Sequence, residues 1–169
     1  MSVPLFHMIA GAPDPVAPFS HAVEADGWVF VTGQMPFSGV SLDSAYPEGI
    51  EAQTRQVMEN LKRVLAGCRL GLEHVVAARV FLTHFNEDYE RMNAVYASYF
   101  ATGKRPARTC IGVTALARGA RVEIDLIARR ADRSGAAARG ARTASRRGAR
   151  SLRRAPAGGR SRRRGRLPR

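Results

Sequence analysis

The spacing of the apolar residues changes along this chain, and the change limits the folds that are open to it. Over residues 50–65 and 89–100 the apolar residues recur at the spacing of an amphipathic helix. The other apolar runs are rich in β-branched and aromatic residues, which indicates strands. The predicted strands cover residues 19–24, 28–35, 75–82, 108–114 and 121–128. The predicted order of elements is therefore β-β-α-β-α-β-β.

Turn and cap residues separate these segments. Asp26-Gly27 lies between the first two strands and predicts a two-residue hairpin turn, because both turn positions need a positive φ. Gly67 is the predicted C-cap of the first helix, and Asn86 is the predicted N-cap of the second. Pro106 follows the second helix and cannot continue it.

Two helices and one mixed sheet predict an α+β layer structure. Right-handed crossovers place both helices on one face of the sheet. In the last strand Val122, Ile124, Leu126 and Ala128 point one way and Glu123 the other. The face opposite the helices is left bare, and because the strands are apolar on both sides we expect it to be buried against another subunit.

The charge of the chain is concentrated at its end. Residues 131–169 hold 14 of the 27 basic residues and a single acid, Asp132, so residues 1–130 carry 13 basic and 13 acidic groups. We therefore predict a neutral domain over 1–130 and a disordered Arg/Ala/Gly-rich tail over 131–169, because the tail has too few apolar groups to offset the entropy of ordering.

Several classes of protein do not fit the sequence. No apolar run reaches the ~18 residues that a membrane span needs, and the N-terminus does not have the pattern of a secretory signal. Cys68 and Cys110 have no CxxC spacing, and no two histidines stand four apart. We expect a cytoplasmic protein without a metal site.

One arginine stands out as a candidate for chemistry. Arg108 begins a strand that is otherwise largely apolar, and its planar guanidinium suits a two-point contact with a carboxylate. Glu123 lies between apolar residues on the following strand. If the faces that carry Arg108 and Glu123 coincide, the two groups lie close together. On composition alone, a buried structural ion pair at a subunit contact is the better interpretation.

A set of short motifs then resembles a known family. The motifs are PFSHAV at 18–23, VTGQ at 31–34, QTRQVMENL at 53–61, NAVY at 93–96, YF at 99–100, PART at 106–109 and VEID at 122–125. In this order and spacing they resemble the RidA (YjgF) family of enamine and imine deaminases. The resemblance covers about residues 10–130, and the tail has no counterpart in the family pattern.

The resemblance implies a fold and an activity. Family members have a chorismate-mutase-like α+β fold and form homotrimers, with their sites in clefts between subunits. They hydrolyse reactive 2-enamino and 2-imino acids, such as 2-aminoacrylate, to 2-oxo acids and ammonia. The resemblance implies no metal and no organic cofactor.

The resemblance also assigns roles to single residues. Arg108 matches the arginine that holds the substrate carboxylate, and Glu123 matches the glutamate that positions or activates water. The implied substrate-binding positions are Phe19, Thr32, Gly33, Asn93 and Cys110. Thr32 stands where Ser is usual and keeps the hydroxyl. Phe19 stands where Tyr is common, and the lost hydroxyl is expected to shift the preference towards apolar substrate side chains.

Cys110 has no His partner in its motif and is interpreted as a packing residue, and Gln34 and His21 as structural hydrogen-bonding groups. Two other functions stay open at this point. The chain could be a non-catalytic or differently catalytic binder of small molecules on the same scaffold. The arginine-rich tail could bind nucleic acid weakly, without sequence preference and with a steep dependence on salt.

Overall fold

The computed structural model describes residues 3–43 and 45–131, so the predicted tail lies outside the described residues except for Ala131. The strands are β1 (Leu5–His7), β2 (Ala22–Ala25), β3 (Trp28–Gln34), β4 (Val75–Leu82), β5 (Ala107–Gly112) and β6 (Val122–Arg129). The helices are α1 (Ile50–Gly67) and α2 (Phe85–Ser98). Short 3-10 turns lie at Leu72–His74 and Ala117–Gly119. Neither helix of the described part has both the length and the apolar character of a membrane span.

The strands form one six-stranded mixed sheet in the order β1-β2-β3-β6-β4-β5. β4 and β5 are parallel, whereas the other neighbouring strands are antiparallel. The predicted α+β fold with a mixed sheet and two helices is confirmed. The prediction missed β1, which is only three residues long and too short to show a period.

The predicted hairpin between the first two strands is also confirmed. Ala25 pairs with Trp28, so the turn consists of Asp26 and Gly27 alone. Their φ values are 49° and 80°, both in the left-handed region that this turn type requires. The turn sets the register of β3, which in turn places Val29 and Val31 in the core.

The helices cover one face of the sheet and bury its core. The predicted stripe of α1 is fully buried: Ile50, Val57, Met58, Leu61, Val64 and Leu65. On the sheet, the core residues of β6 are Val122, Ile124, Leu126 and Ala128, as its alternation predicts. Met92 and Tyr96 from α2, and Phe100 just after it, join the same core. Residues that lie next to these core residues in a strand therefore point to the other face.

The role predicted for Gly67 is wrong, because Gly67 lies inside α1 and has no positive φ. Arg69 takes the left-handed conformation instead, with φ of 57°, and the Leu70 amide donates to the Leu65 carbonyl. A Cβ at position 67 would lie 2.5 Å from the Ile9 side chain. Glycine is needed at this position because the N-terminal segment packs close to the helix.

The start predicted for α2 is also shifted. The helix begins at Phe85, with His84 in the capping position, and Asn86 lies within the first turn. Asp88 in that turn is fully buried. Its carboxylate accepts hydrogen bonds of 2.8 Å from both Nε and Nη2 of Arg121, just before β6. The pair fixes the start of the helix against the start of the strand that carries Glu123.

The face of the sheet opposite the helices is uncovered in the described chain. Trp28, Phe30 and Ile111 on this face are 38%, 47% and 46% exposed. Arg79 and Asp125 form an ion pair of 2.9 Å at its centre. Large apolar side chains around a paired charge are the pattern of a surface that meets another protein surface.

Replacing Asp88 with Asn should lower the free energy of unfolding by about 2–3 kcal/mol, because one oxygen of a charged, fully buried acceptor is lost while Arg121 stays in place. The matched control is Glu87→Gln, which removes an exposed contact of 3.2 Å to the same guanidinium and should cost less than ~0.5 kcal/mol. Urea unfolding of both variants measures the difference. Equal losses would show that the buried carboxylate has no special part in the fold.

Candidate functional site

Arg108 lies on the edge strand β5 and points to the helix side of the sheet. Its guanidinium carbon is 4.8 Å from the ring centroid of Tyr96 on α2, a cation-π distance. The structure records no carboxylate within ion-pair distance of Arg108 among the described residues. The side chain is therefore held in place by a ring and keeps its charge available for an anion.

A cleft of about 430 Å³ opens beside this guanidinium. We name it the arginine cleft, and it is lined by Asn93, Tyr96, Ala97, Arg105, Pro106 and Arg108. Burial raises the pKa of Tyr96 to about 12, so the phenol is neutral and lies beside Arg108 without cancelling its charge. The cleft has the size of a small-molecule site and a positive wall.

Glu123 lies in β6, on the open face of the sheet. It is half-buried, and burial raises the pKa of its carboxyl, with the negative charge of Asp125 acting in the same direction. No cation is recorded in contact with it in the part of the chain that the structure describes. A carboxyl with a raised pKa and no ion-pair partner is the state expected of a general base.

Gly33 in β3 makes room for that carboxylate. A Cβ at position 33 would lie 2.0 Å from Oε1 of Glu123, so any side chain there would force the glutamate to move. The register between β3 and β6 shifts between Val31 and Gln34, which is the irregularity that contains Gly33. The predicted site residues Gly33 and Glu123 are thus brought into direct contact.

Arg108 and Glu123 point to opposite faces of the sheet, so the condition under which they would lie close together is not met within one chain. Arg108 pairs with Ala78, which pairs with the core residue Leu126. Glu123 pairs with Phe81, which pairs with Ile111 on the open face. The two residues are thus on strands separated by β4, at register positions of opposite parity. A single chain holds two separate halves of the predicted site.

The remaining predicted residues divide between these halves. Asn93 lines the arginine cleft, whereas Phe19 lies with Gly33 beside a hollow of about 20 Å³, which has room for little more than a water molecule. The Thr32 hydroxyl donates to the Ser20 carbonyl at 2.7 Å and so fixes the segment next to Phe19. Cys110 packs against the core, and burial raises the pKa of its thiol, as expected of a packing residue.

His21 and Gln34 make structural hydrogen bonds, as predicted. The His21 ring is buried, with Nδ1 accepting from the Ile9 amide at 2.8 Å and Nε2 lying 2.9 Å from the Pro13 carbonyl. Gln34 donates to the Thr32 carbonyl at 3.1 Å. Among residues 3–43 and 45–131, no three His, Cys, Asp or Glu side chains are grouped so that they could hold a metal ion.

Two polar residues of the cleft, Tyr96 and Arg105, are not among the site residues that the sequence predicts. Tyr96 belongs to the apolar spacing of residues 89–100, and its place three residues after Asn93 is the signal that could have put both on one side of the helix. Arg105 was passed over as part of a helix-ending segment. Its side chain lines the cleft only because Pro106 leads the chain directly into β5.

Comparison with known proteins agrees with this fold. Residues 9–130 match the family model described as Endoribonuclease L-PSP. The chain is 44% identical over 119 residues to protein DfrA of Myxococcus xanthus, which covers 69% of this chain and 88% of DfrA.

Two solved structures are similar as well. YyfA of Yersinia pestis, described as a Rid-family protein of unknown function, superposes with a TM-score of 0.70 at 32% identity, covering 76% of this chain and all of YyfA. TdcF of E. coli, solved with bound serine, gives a TM-score of 0.67 at 28% identity over 74% of this chain and 99% of TdcF.

The six-stranded mixed sheet with two helices on one face is a Rid-type scaffold, as the similarity to YyfA shows. The chain belongs to the Endoribonuclease L-PSP family, which is the RidA (YjgF) family indicated by its motifs. The family assignment made from the sequence is therefore confirmed.

Gly33→Ala should move the Glu123 carboxylate and change its pKa, because the added methyl would occupy the position of Oε1. The glutamate is a flexible side chain, so the fold should lose no more than ~1 kcal/mol of stability. Gly39→Ala is the matched control, since nothing lies within 4 Å of a Cβ there. Carboxyl NMR titration of Glu123 in both variants measures the effect. An unchanged Glu123 titration in Gly33→Ala would contradict the close contact.

Proposed function

We propose that this protein is a hydrolytic deaminase that converts reactive 2-enamino and 2-imino acids into 2-oxo acids and ammonia. The observation that carries the proposal is the pair of unmatched charges. Arg108 has no recorded carboxylate partner in the described chain, and Glu123 is a half-buried carboxyl with a raised pKa and no recorded cation. A small substrate with a carboxylate and an electrophilic carbon supplies an anion for Arg108 and a reaction for which Glu123 can act as general base.

The proposed site needs two copies of the chain. Within one copy Arg108 and Glu123 are on opposite faces of the sheet and cannot hold the same small molecule. Arg108 lies on the edge strand β5, where a second copy packed on the exposed apolar face could bring its own Glu123 alongside. We infer a homotrimer with a site at each interface, since a closed ring gives every chain the same two contacts.

Binding begins at the carboxylate of the substrate. The guanidinium of Arg108 offers two parallel N–H donors to the two carboxylate oxygens. The Tyr96 ring fixes the plane of the guanidinium and thereby the direction of the substrate. Asn93 lines the same cleft and can hydrogen-bond the nitrogen end of the substrate.

Hydrolysis then follows at C2. The protonated imine is electrophilic without a metal or an organic cofactor. Water forms a bond to C2 while Glu123 takes one of its protons, and the π electrons of the C=N bond move to nitrogen. Glu123 returns the proton to the amine nitrogen, and the C–N bond breaks as the hydroxyl oxygen forms the carbonyl. The hydroxyl proton ends on ammonia, which leaves as ammonium. An enamine enters the same path after protonation at C3.

The comparisons support the ligand class in part. TdcF carries a bound serine, a small amino acid with the carboxylate and nitrogen that this proposal requires. The family description names an endoribonuclease, and YyfA is described as a protein of unknown function. The main alternative function is binding of a small molecule without turnover. It predicts that the protein binds the ligand but does not hydrolyse it.

Arg108→Ala and Glu123→Gln should each abolish most of the acceleration of 2-oxo acid release from an imine made in situ by an amino-acid oxidase. The expected loss for Glu123→Gln is about 10²–10⁴-fold, the usual contribution of a general base. In the intact protein kcat/KM should rise with pH through a pKa above the ordinary glutamate value, because the base acts only when ionised and burial raises its pKa.

The control is Arg55→Ala, which removes one exposed arginine from α1, away from the cleft. It should keep full activity. Circular dichroism should show that all three variants are folded. Full activity in Arg108→Ala or Glu123→Gln would contradict the proposed mechanism.

A further inference from the structure

We propose that the arginine cleft selects dicarboxylic 2-imino acids, with Arg105 as the contact for the second carboxylate. The inference names the substrate class of the site and so rests on the proposed function for its chemistry. The preference of the cleft for a dianion is argued from the residues that line the cleft and from its volume. It is tested by measurements of ligand binding, without turnover.

The first observation is the charge of the cleft wall. Arg105 and Arg108 both line the cleft, on either side of Pro106 and Ala107. No acidic residue is among its lining residues, which are otherwise an amide, a phenol and small apolar groups. The wall therefore carries two positive charges, and the neutral phenol of Tyr96 does not cancel either of them.

The second observation is the contrast with other arginines of the domain. Arg79 is paired with Asp125, Arg121 with Asp88, and Arg130 with Glu24, each at 2.6–2.9 Å. Across the described residues, the structure records no ion pair for Arg105 or for Arg108. Other arginines of this part of the chain, such as Arg55 and Arg118, also have no recorded ion pair, and what sets Arg105 and Arg108 apart is that both line one cleft.

The third observation is the amount of space. A carboxylate, an imine carbon and a short apolar side chain occupy only part of the 430 Å³ between these residues. A monocarboxylic ligand on Arg108 would leave the charge of Arg105 without an anion. A dicarboxylate offers one carboxylate to each of the two guanidinium groups, which contact carboxylates in the same two-point geometry.

This inference differs from the preference for apolar side chains that Phe19 implies. Phe19 lines the small hollow beside Gly33, whereas Arg105 lines the arginine cleft with Arg108. Phe19 implies that ligands with an apolar side chain bind more tightly, whereas Arg105 implies that ligands with a second carboxylate do. The class of reaction that would supply the substrate is oxidation of an acidic amino acid to its 2-imino acid.

Calorimetric titration of the full-length protein with 2-oxoglutarate and with 2-oxobutanoate tests the inference. Both are 2-oxo acids, and they differ in the second carboxylate. The dicarboxylate should bind at least about tenfold more tightly, because a charge-assisted contact to Arg105 is added. Equal binding, or tighter binding of 2-oxobutanoate, would overturn the inference.

Variants assign the preference to one residue. Arg105→Gln should bring the ratio of the two affinities close to one, and Arg105→Lys should restore part of it. Lys104→Gln is the matched control, because it removes an equal charge from the adjacent exposed residue, which does not line the cleft. A ratio that falls as much in Lys104→Gln as in Arg105→Gln would show a general charge effect and contradict a specific contact.

Turnover of the corresponding imines separates this inference from the proposed function. Hydrolysis of both imines with equal binding of the two oxo acids would refute the dicarboxylate cleft and leave the deaminase intact. Selective, Arg105-dependent binding without hydrolysis of either imine would refute the deaminase and keep the assignment of the cleft.

Discussion

The alternation of side chains along β6 connects the core of this protein to its candidate site. Val122, Ile124, Leu126 and Ala128 are buried under the helices, and this burial fixes the register of the strand between β3 and β4. The same register points Glu123 to the open face, where burial raises the pKa of its carboxyl. A slip of one residue would exchange the two faces, so the fold cannot form without placing the glutamate where it is.

The site also carries a cost to stability. Glu123 is half-buried without a recorded cation, and Arg108 has a ring rather than a carboxylate beside it, in the residues that the structure describes. Unmatched charges of this kind are unfavourable in a folded chain and are found where function requires them. Gly33 extends the pattern, since it gives up side-chain packing so that the carboxylate can occupy the space.

Local patterns predicted the parts of the fold that depend on neighbouring residues. The Asp26-Gly27 turn, the buried stripe of α1 and the two faces of β6 follow from short-range geometry and appear as expected. The relation between Arg108 and Glu123 depends on β4, which lies between their strands and sets the parity of both. Gly67 was misassigned for a similar reason, because the contact that requires it comes from the distant residue Ile9. Long-range register and packing were not visible in the local sequence.

The central claim is that a guanidinium from one chain and a carboxylate from another form one site. Co-expression of Arg108→Ala chains with Glu123→Gln chains tests it most directly, with mixed oligomers verified by mass. Each variant alone lacks one group in every site, whereas random mixing restores both groups in about a quarter of the interfaces of a closed ring. The account predicts that the co-expressed population as a whole recovers about that fraction of the imine-hydrolysing activity. Mixed oligomers as inactive as either parent would contradict it.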